Sequence, residues 1–163
     1  MHHVSKRGDT GSAQVLLEHG ADASAQDKEG CTPLHRAGSK EVARLLLEHG
    51  ADANALDIKN RTPLHHVTEG GHAGAAQVLL EHGVDANARD TNNATPLHLA
   101  SGSEWEHAED EELLDVIQLL LKHGSDIHAR DGMDRTPFMR ATENGYHKTM
   151  QLLLEHGAED VGW

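Results

Sequence analysis

The tetrapeptide T-P-L-H occurs at Thr32–His35, Thr62–His65 and Thr95–His98, and a degenerate T-P-F-M at Thr136–Met139. Each copy is followed by L-L-x-H-G, ending at Gly50, Gly83, Gly124 and Gly157, and one more copy, ending at Gly20, precedes the first T-P-L-H. The steps between these glycines are 30, 33, 41 and 33 residues. A period of this size sets the fold: each unit is too small for a core of its own and buries its apolar face against its neighbours. The chain is therefore read as a stacked solenoid, and solenoids present binding surfaces.

One unit, Asp57 to Arg89, shows how the residues dictate the shape. Asp57–Thr62 is short and polar. Asn60 sits where other units place Gly30, Asn93 and Asp134. These residue types share tolerance of positive φ, so the segment is predicted to be a tight, hairpin-like finger. Thr62 then caps a helix whose first residue is Pro63, where no N–H is needed. Leu64, Val67 and Thr68 share one helical face, and Gly70-Gly71 ends the helix. A second helix over Ala75–His82 carries Val78, Leu79 and Leu80, with Gly83 as its C-terminal cap. Val84–Arg89 leads to the next finger.

This finger–helix–helix unit resembles the ankyrin repeat, with its pattern D-x-x-G-x-T-P-L-H-x-A over 33 residues. The resemblance extends over essentially the whole chain. It implies an all-α repeat solenoid of stacked helix-turn-helix units with short β-hairpin fingers, forming a single domain over residues 1–163. The units run 1–26, lacking its finger, then 27–56, 57–89, 90–130 with an acidic insertion at 102–112, and 131–163.

Four departures from the pattern carry expectations. Met1-His-His-Val4 aligns with Leu64-His-His-Val67; a start within a longer array and a natural, trimmed first repeat both fit, and Val4, Val15 and Leu16 are apolar for a polar end cap. The second unit lacks three residues between Ala37 and Gly38, which should leave a notch beside Arg36 and Ser39. The fourth unit carries eight extra residues between Ser101 and Leu113, with six acids and Ser103-x-x-Glu106 in capping-box form. An early start of its second helix and an acidic loop both fit. The fifth unit has Met139 where the motif histidine belongs.

Charge narrows the partners. The chain has 14 Lys and Arg against 27 Asp and Glu, a formal net charge of −13. That excludes nucleic acid and anionic membrane surfaces as the main partners. A lone cysteine, Cys31, rules out an intrachain disulfide and fits a reducing compartment. No apolar run approaches the ~20 residues of a membrane span, and the first residues lack a signal-peptide apolar stretch. The expectation is an intracellular protein, placed first in the cytoplasm and second in the nucleus.

Fifteen histidines invite a metal reading. Most fall on repeat positions instead: His19, His49, His82, His123 and His156 in L-L-x-H-G, and His2, His35, His65 and His98 in the T-P-L-H column, with His72 after a turn glycine. There is no H-E-x-x-H and no Cys/His zinc spacing, and no P-loop, dinucleotide or G-x-S-x-G motif. Cys31 has His35 four residues on, but it occupies a variable finger position and is read as a solvent-facing, inert thiol. No catalytic residue, cofactor or metal ligand is assigned. Asn54 and Asn87 are read as braces of the loop between repeats.

The resemblance places partner binding on the finger tips and the exposed face of the first helices, which line a concave surface. The residues assigned to contact are Lys28, Glu29, Arg36, Lys59, Arg61, His66, Glu69, Arg89, Asn92, Leu99, Met133, Arg135, Arg140 and Asn144. The wider surface also takes in Cys31, Ile58, Ala94, Leu56, Lys6, Arg7 and Arg130, and within it cations outnumber acids. The function read here is a non-enzymatic protein-interaction module, a monomeric scaffold whose protein partner presents an acidic segment. The alternative is a targeting or regulatory piece of a larger protein whose catalytic domain lies elsewhere. Trp105, Glu106 and Glu109 form a second docking candidate in the insertion, beside the readings of a solvated excursion and a calcium site.

Overall fold

The structure, a computed structural model, describes residues 1–102 and 111–159. Among these residues it is helical, with helices in pairs. The first pair is α1 (His2–Arg7) and α2 (Thr10–Glu18). A 3₁₀ turn (Pro33–Arg36) precedes α3 (Lys40–Glu48), then come α4 (Pro63–Glu69) with α5 (Ala73–Glu81), and α6 (Pro96–Gly102) with α7 (Glu111–Lys122). The last pair is α8 (Pro137–Glu143) and α9 (His147–Glu155). The first member of each pair packs on the first member of the next, and the second on the second, giving two parallel layers. One continuous core runs between them, with Leu34, Leu46, Leu64, Leu79, Leu97, Ile117, Leu120 and Leu153 fully buried.

The repeated signatures explain the helix ends. Thr32, Thr62 and Thr136 adopt extended backbone at the N-cap, with proline as the first residue of the following turn or helix. At the other end, His19, His49, His82, His123 and His156 each place Nδ1 within 2.7–2.9 Å of the carbonyl four residues earlier. The glycine that follows turns the chain through positive φ. L-L-x-H-G is thus a helix stop, in which the imidazole adds a bond to a last-turn carbonyl that at His19, His49, His82 and His123 also accepts the histidine's own backbone N–H.

The fingers form as the residue types require. Asn60, Asn93 and Asp134 have φ of 55°, 55° and 62°, and Gly30 has 75°. In each finger an aspartate Oδ1 accepts two backbone N–H groups. Asp57 takes those of Lys59 and Arg61 at 2.7 and 2.9 Å, and Asp27, Asp90 and Asp131 do the same in their units. Neighbouring fingers share a backbone bond: Ile58 N–H to Glu29, Thr91 N–H to Lys59, Gly132 N–H to Asn92. No strand is present among the described residues, so the expected β-hairpin fingers are hydrogen-bonded turns joined edge to edge. The single backbone bond shown between each pair of neighbouring fingers does not make a ladder.

The irregular units behave locally. In the second unit the first helix shrinks to four 3₁₀ residues, against seven in α4, α6 and α8. Gly38 then reaches the preceding helix and donates its N–H to the Ser5 carbonyl at 2.9 Å. A Cβ there would lie 2.7 Å from the Lys6 carbonyl oxygen, so glycine is required. A groove of about 170 Å³ lies beside Arg36, lined also by Lys6, His35, His66, Glu69, Gly70 and His72; Ser39, expected to flank the notch, does not line it. In the fourth unit α7 has twelve residues against nine in α5, starting earlier by about 4.5 Å of rise. The rest of the insertion, including Trp105, Glu106 and Glu109, lies outside the described residues.

Burial follows neighbours rather than sequence. Val78 and Leu79 of α5, covered by α3, are 1% and 0% exposed. Their equivalents in α2, Val15 and Leu16, are 55% and 38% exposed.

Candidate functional site

The T-P-L-H histidines hold the face that carries the candidate contact residues. In the second, third and fourth units, Nδ1 accepts the backbone N–H of the motif threonine at 3.0–3.2 Å. The proton is therefore on Nε2. That nitrogen donates to a carbonyl of the next finger: His35 to Arg61 at 3.0 Å, His65 to Ala94 at 3.2 Å and His98 to Arg135 at 2.9 Å. His2 reaches the Cys31 carbonyl at 2.7 Å in the same way. Burial pushes His35, His65 and His98 below the ordinary imidazole range, only partly offset by these carbonyls. They are neutral braces at physiological pH. Asn87 adds another brace, donating to the Gly124 carbonyl at 2.9 Å and accepting from the Asp126 N–H at 2.7 Å. The equivalent Asn54 is exposed and makes no such side-chain bond among the described residues.

On this frame none of the fourteen assigned contact residues is buried. Lys28, Glu29, Lys59, Arg89, Asn92, Met133 and Asn144 are exposed; Arg36, Arg61, His66, Glu69, Leu99, Arg135 and Arg140 are partly so. Two residues of the wider surface are not on it. Cys31 and Ala94 are buried, at 0% and 1% exposure. Cys31 Sγ faces Asp57 and His66 of the next unit, whereas Arg61 and Arg135 at the equivalent position stay partly exposed, so the solvent-facing reading of Cys31 is overturned.

The charges of the face are largely paired. Arg36 binds Asp27 at 3.2 Å and Glu29 at 2.9 Å. Arg61 binds Glu69 at 3.0 Å and lies 3.5 Å from Asp57. Arg135 bridges Asp131 and Glu143 at 3.0 and 3.1 Å, Arg140 binds Asp131 at 2.8 Å, and Arg130 binds Asp134. Arg89 is spent on the carbonyls of Asn93 and Arg130. The basic surplus counted along the sequence is thus mostly internal compensation, while Lys6, Lys28 and Lys59 have no charge partner among the described residues. Sequence reading missed the finger aspartates. Their D-x-x-[GND] spacing was visible, but the side chain that returns to them from the first helix was not.

That returning position is occupied in turn by Arg36, His66, Leu99 and Arg140. At Asp131 burial raises the carboxyl, but bonds from the Arg135 backbone and from Arg140 outweigh it and hold it well below the usual carboxylate range. In the third unit the partner is His66, whose Nε2 lies 2.8 Å from Asp57 Oδ2. Burial there outweighs the carboxylate and pushes His66 down to about 4, so Nε2–H donates from a neutral ring. Cys31 Sγ lies 3.8 Å from the same nitrogen and 4.0 Å from the same oxygen. Burial raises the thiol, which Arg36 only partly offsets.

This trio lacks the layout of a nucleophilic triad, which needs thiol and carboxylate on opposite ring nitrogens; here both face Nε2. His35 cannot activate Cys31 either, since its two nitrogens are engaged by Thr32 and the Arg61 carbonyl.

Helix pairs stacked in two layers and locked finger to finger define a helical repeat solenoid. The family model described as Ankyrin repeats (3 copies) matches residues 1–57, 51–131 and 106–162. The chain belongs to the ankyrin-repeat family, whose members are in general protein–protein interaction modules and typically non-catalytic. No curated protein matches it. No helix among the described residues is long and apolar enough to cross a membrane.

Proposed function

We propose that the chain is a non-enzymatic module that binds a protein partner across its finger tips and first-helix face. The observation that carries this reading is the pairing of apolar tips with a braced backbone. Ile58 and Met133 are 69% and 75% exposed on fingers fixed by aspartate bonds and by backbone bonds to their neighbours. Leu56, 51% exposed, flanks Ile58. Exposed apolar residues on a rigid support cost little ordering on binding and are the kind of contact that anchors an interface. The acidic partner segment enters in a narrower form. It is met by the unpaired Lys28 and Lys59, while the arginines keep the face in shape.

The module acts as an intracellular monomer in this reading. Its test is capture of partners from lysate of the source cells by the wild-type chain and by an Ile58→Asp, Met133→Asp variant. Both positions are solvent-facing, so folding is retained and checked by circular dichroism. A specific partner lost from the variant supports the face, and one weakened at ~0.5 M salt and by Lys28→Glu, Lys59→Glu supports the acidic segment. Partners that bind the variants undiminished overturn the reading.

A further inference from the structure

Cys31 Sγ, Asp57 Oδ2 and His66 Nε2 form a triangle with edges of 3.8, 4.0 and 2.8 Å. The three residues come from two adjacent units, 26 and 35 positions apart for the cysteine's two contacts. No sequence spacing announces them. We propose that they form a three-ligand site for a thiophilic divalent cation of the Zn²⁺ class, with its open position toward the groove beside His66 and Arg36.

The geometry fits. With Zn–S of about 2.3 Å and Zn–N and Zn–O of about 2.0–2.2 Å, tetrahedral ligand atoms stand about 3.3–3.6 Å apart. Each edge of the triangle needs to change by only about half an ångström. The donors are also held. Asp57 Oδ1 is fixed by the backbone N–H groups of Lys59 and Arg61, so Oδ2 is aimed, as outer bonds aim ligands at metal sites. Cys31 sits in a backbone locked by its own N–H to Asp27 and its carbonyl to His2. Among the described residues the buried thiol has two hydrogen-bonding contacts, both near the limit of sulfur hydrogen bonding. One sulfur, one imidazole nitrogen and one carboxylate oxygen suit Zn²⁺ and disfavour Mg²⁺ and Ca²⁺, which take all-oxygen shells.

Two guanidiniums stand close by, and both have carboxylates of their own. Arg36 is held by Asp27 and Glu29, and Arg61 by Glu69, with Arg61 Nε also 3.5 Å from the ligand oxygen Asp57 Oδ2. Counting Asp57, the surroundings are negative before a thiolate forms. Binding displaces the thiol proton and shifts the His66 proton from Nε2 to Nδ1. Of the three ligands only His66 lines the groove of about 170 Å³, so in this proposal a water reaches the fourth position past the His66 ring.

The array itself supplies the variants for a test. The residue at the Cys31 position is Ala94 in the fourth unit, and at the His66 position it is Leu99. Cys31→Ala and His66→Leu therefore introduce residues that this fold already holds there. The full chain is titrated with Co²⁺ and read by absorption. Expected is one equivalent giving a near-ultraviolet thiolate-to-cobalt charge-transfer band with intense tetrahedral visible bands, displaced by Zn²⁺. In both folded variants the band disappears, and Zn²⁺ affinity falls more than about tenfold. Cobalt binding without the thiolate band, or a band or Zn²⁺ affinity unchanged in His66→Leu, means adventitious binding to surface histidines and overturns the proposal.

Discussion

His98 Nε2 donates to the Arg135 carbonyl oxygen at 2.9 Å, joining residues 37 positions apart across the largest insertion in the chain. The same bond is made by His2, His35 and His65 to Cys31, Arg61 and Ala94. One imidazole per junction thus carries the register from unit to unit.

Replacing one rung should cost heavily. His65→Ala leaves the Thr62 N–H buried without a partner, leaves the Ala94 carbonyl with only the Asp90 N–H, and opens a cavity at a fully buried site. The orphaned N–H costs about 1–3 kcal/mol and the cavity adds to it, so a loss of about 2–4 kcal/mol is expected in urea unfolding. An effect within experimental error would show that these bonds do not hold the register.

Acid should weaken the fold early. Burial lowers His35, His65, His98 and His72 below 6.5 and brings His66 to about 4. The unfolded chain therefore binds more protons than the folded one across this window. Stability is complete above about pH 7 and falls as pH drops from 6.5 toward 4. The lowered carboxyls of Asp57 and Asp131 add a second loss below 3.8, as pH falls toward their folded values. Urea midpoints from pH 8 to pH 3 measure this, and His66→Leu should flatten part of the first fall. A midpoint independent of pH between 7 and 4 would refute the neutral-brace assignment.

Two aspartates three residues apart should behave oppositely. Asp131, 1% exposed at its side chain, holds two backbone N–H groups and two arginines. Asp131→Ala strands those groups, and about 3–5 kcal/mol is expected to be lost. Asp134 pairs with Arg130 in solvent, at 81% exposure, and such pairs contribute little. Asp134→Gly, which keeps the left-handed backbone, should leave the urea midpoint unmoved. Equal effects would contradict the view that burial decides.

The same leucine should matter only where it has a neighbour. Leu79→Ala in α5 removes a fully buried side chain and should cost about 3–5 kcal/mol. Leu16→Ala in α2, at the equivalent position, should cost less than about 1 kcal/mol. Thermal or urea unfolding of the pair checks it, and matching losses would argue against burial by stacking.

The fold was legible because its determinants are local and repeated. Thr–Pro starts, His–Gly stops and positive-φ turn residues each act within a few positions, and the period then dictates stacking. The site was legible only as a list of outward positions. What Arg61 or Arg135 does there depends on Asp57, Glu69, Asp131 and Glu143, and a sequence-level count of cations treats as free what the fold pairs off. Cys31 failed for a related reason: the side chain points across a boundary between units, and its neighbours Asp57 and His66 belong to the next one.

The shortened turn at Pro33–Arg36 and the long step before α7 fall at the same end of their units, where the two helices of a pair meet. The histidine bonds and inter-finger bonds lie at the other end and are intact on both sides of each irregularity. The molecule thus has a zippered margin and a free margin. Residues can be lost or gained along the free margin without re-threading the rest, so one edge can change shape while the fingered edge keeps its spacing.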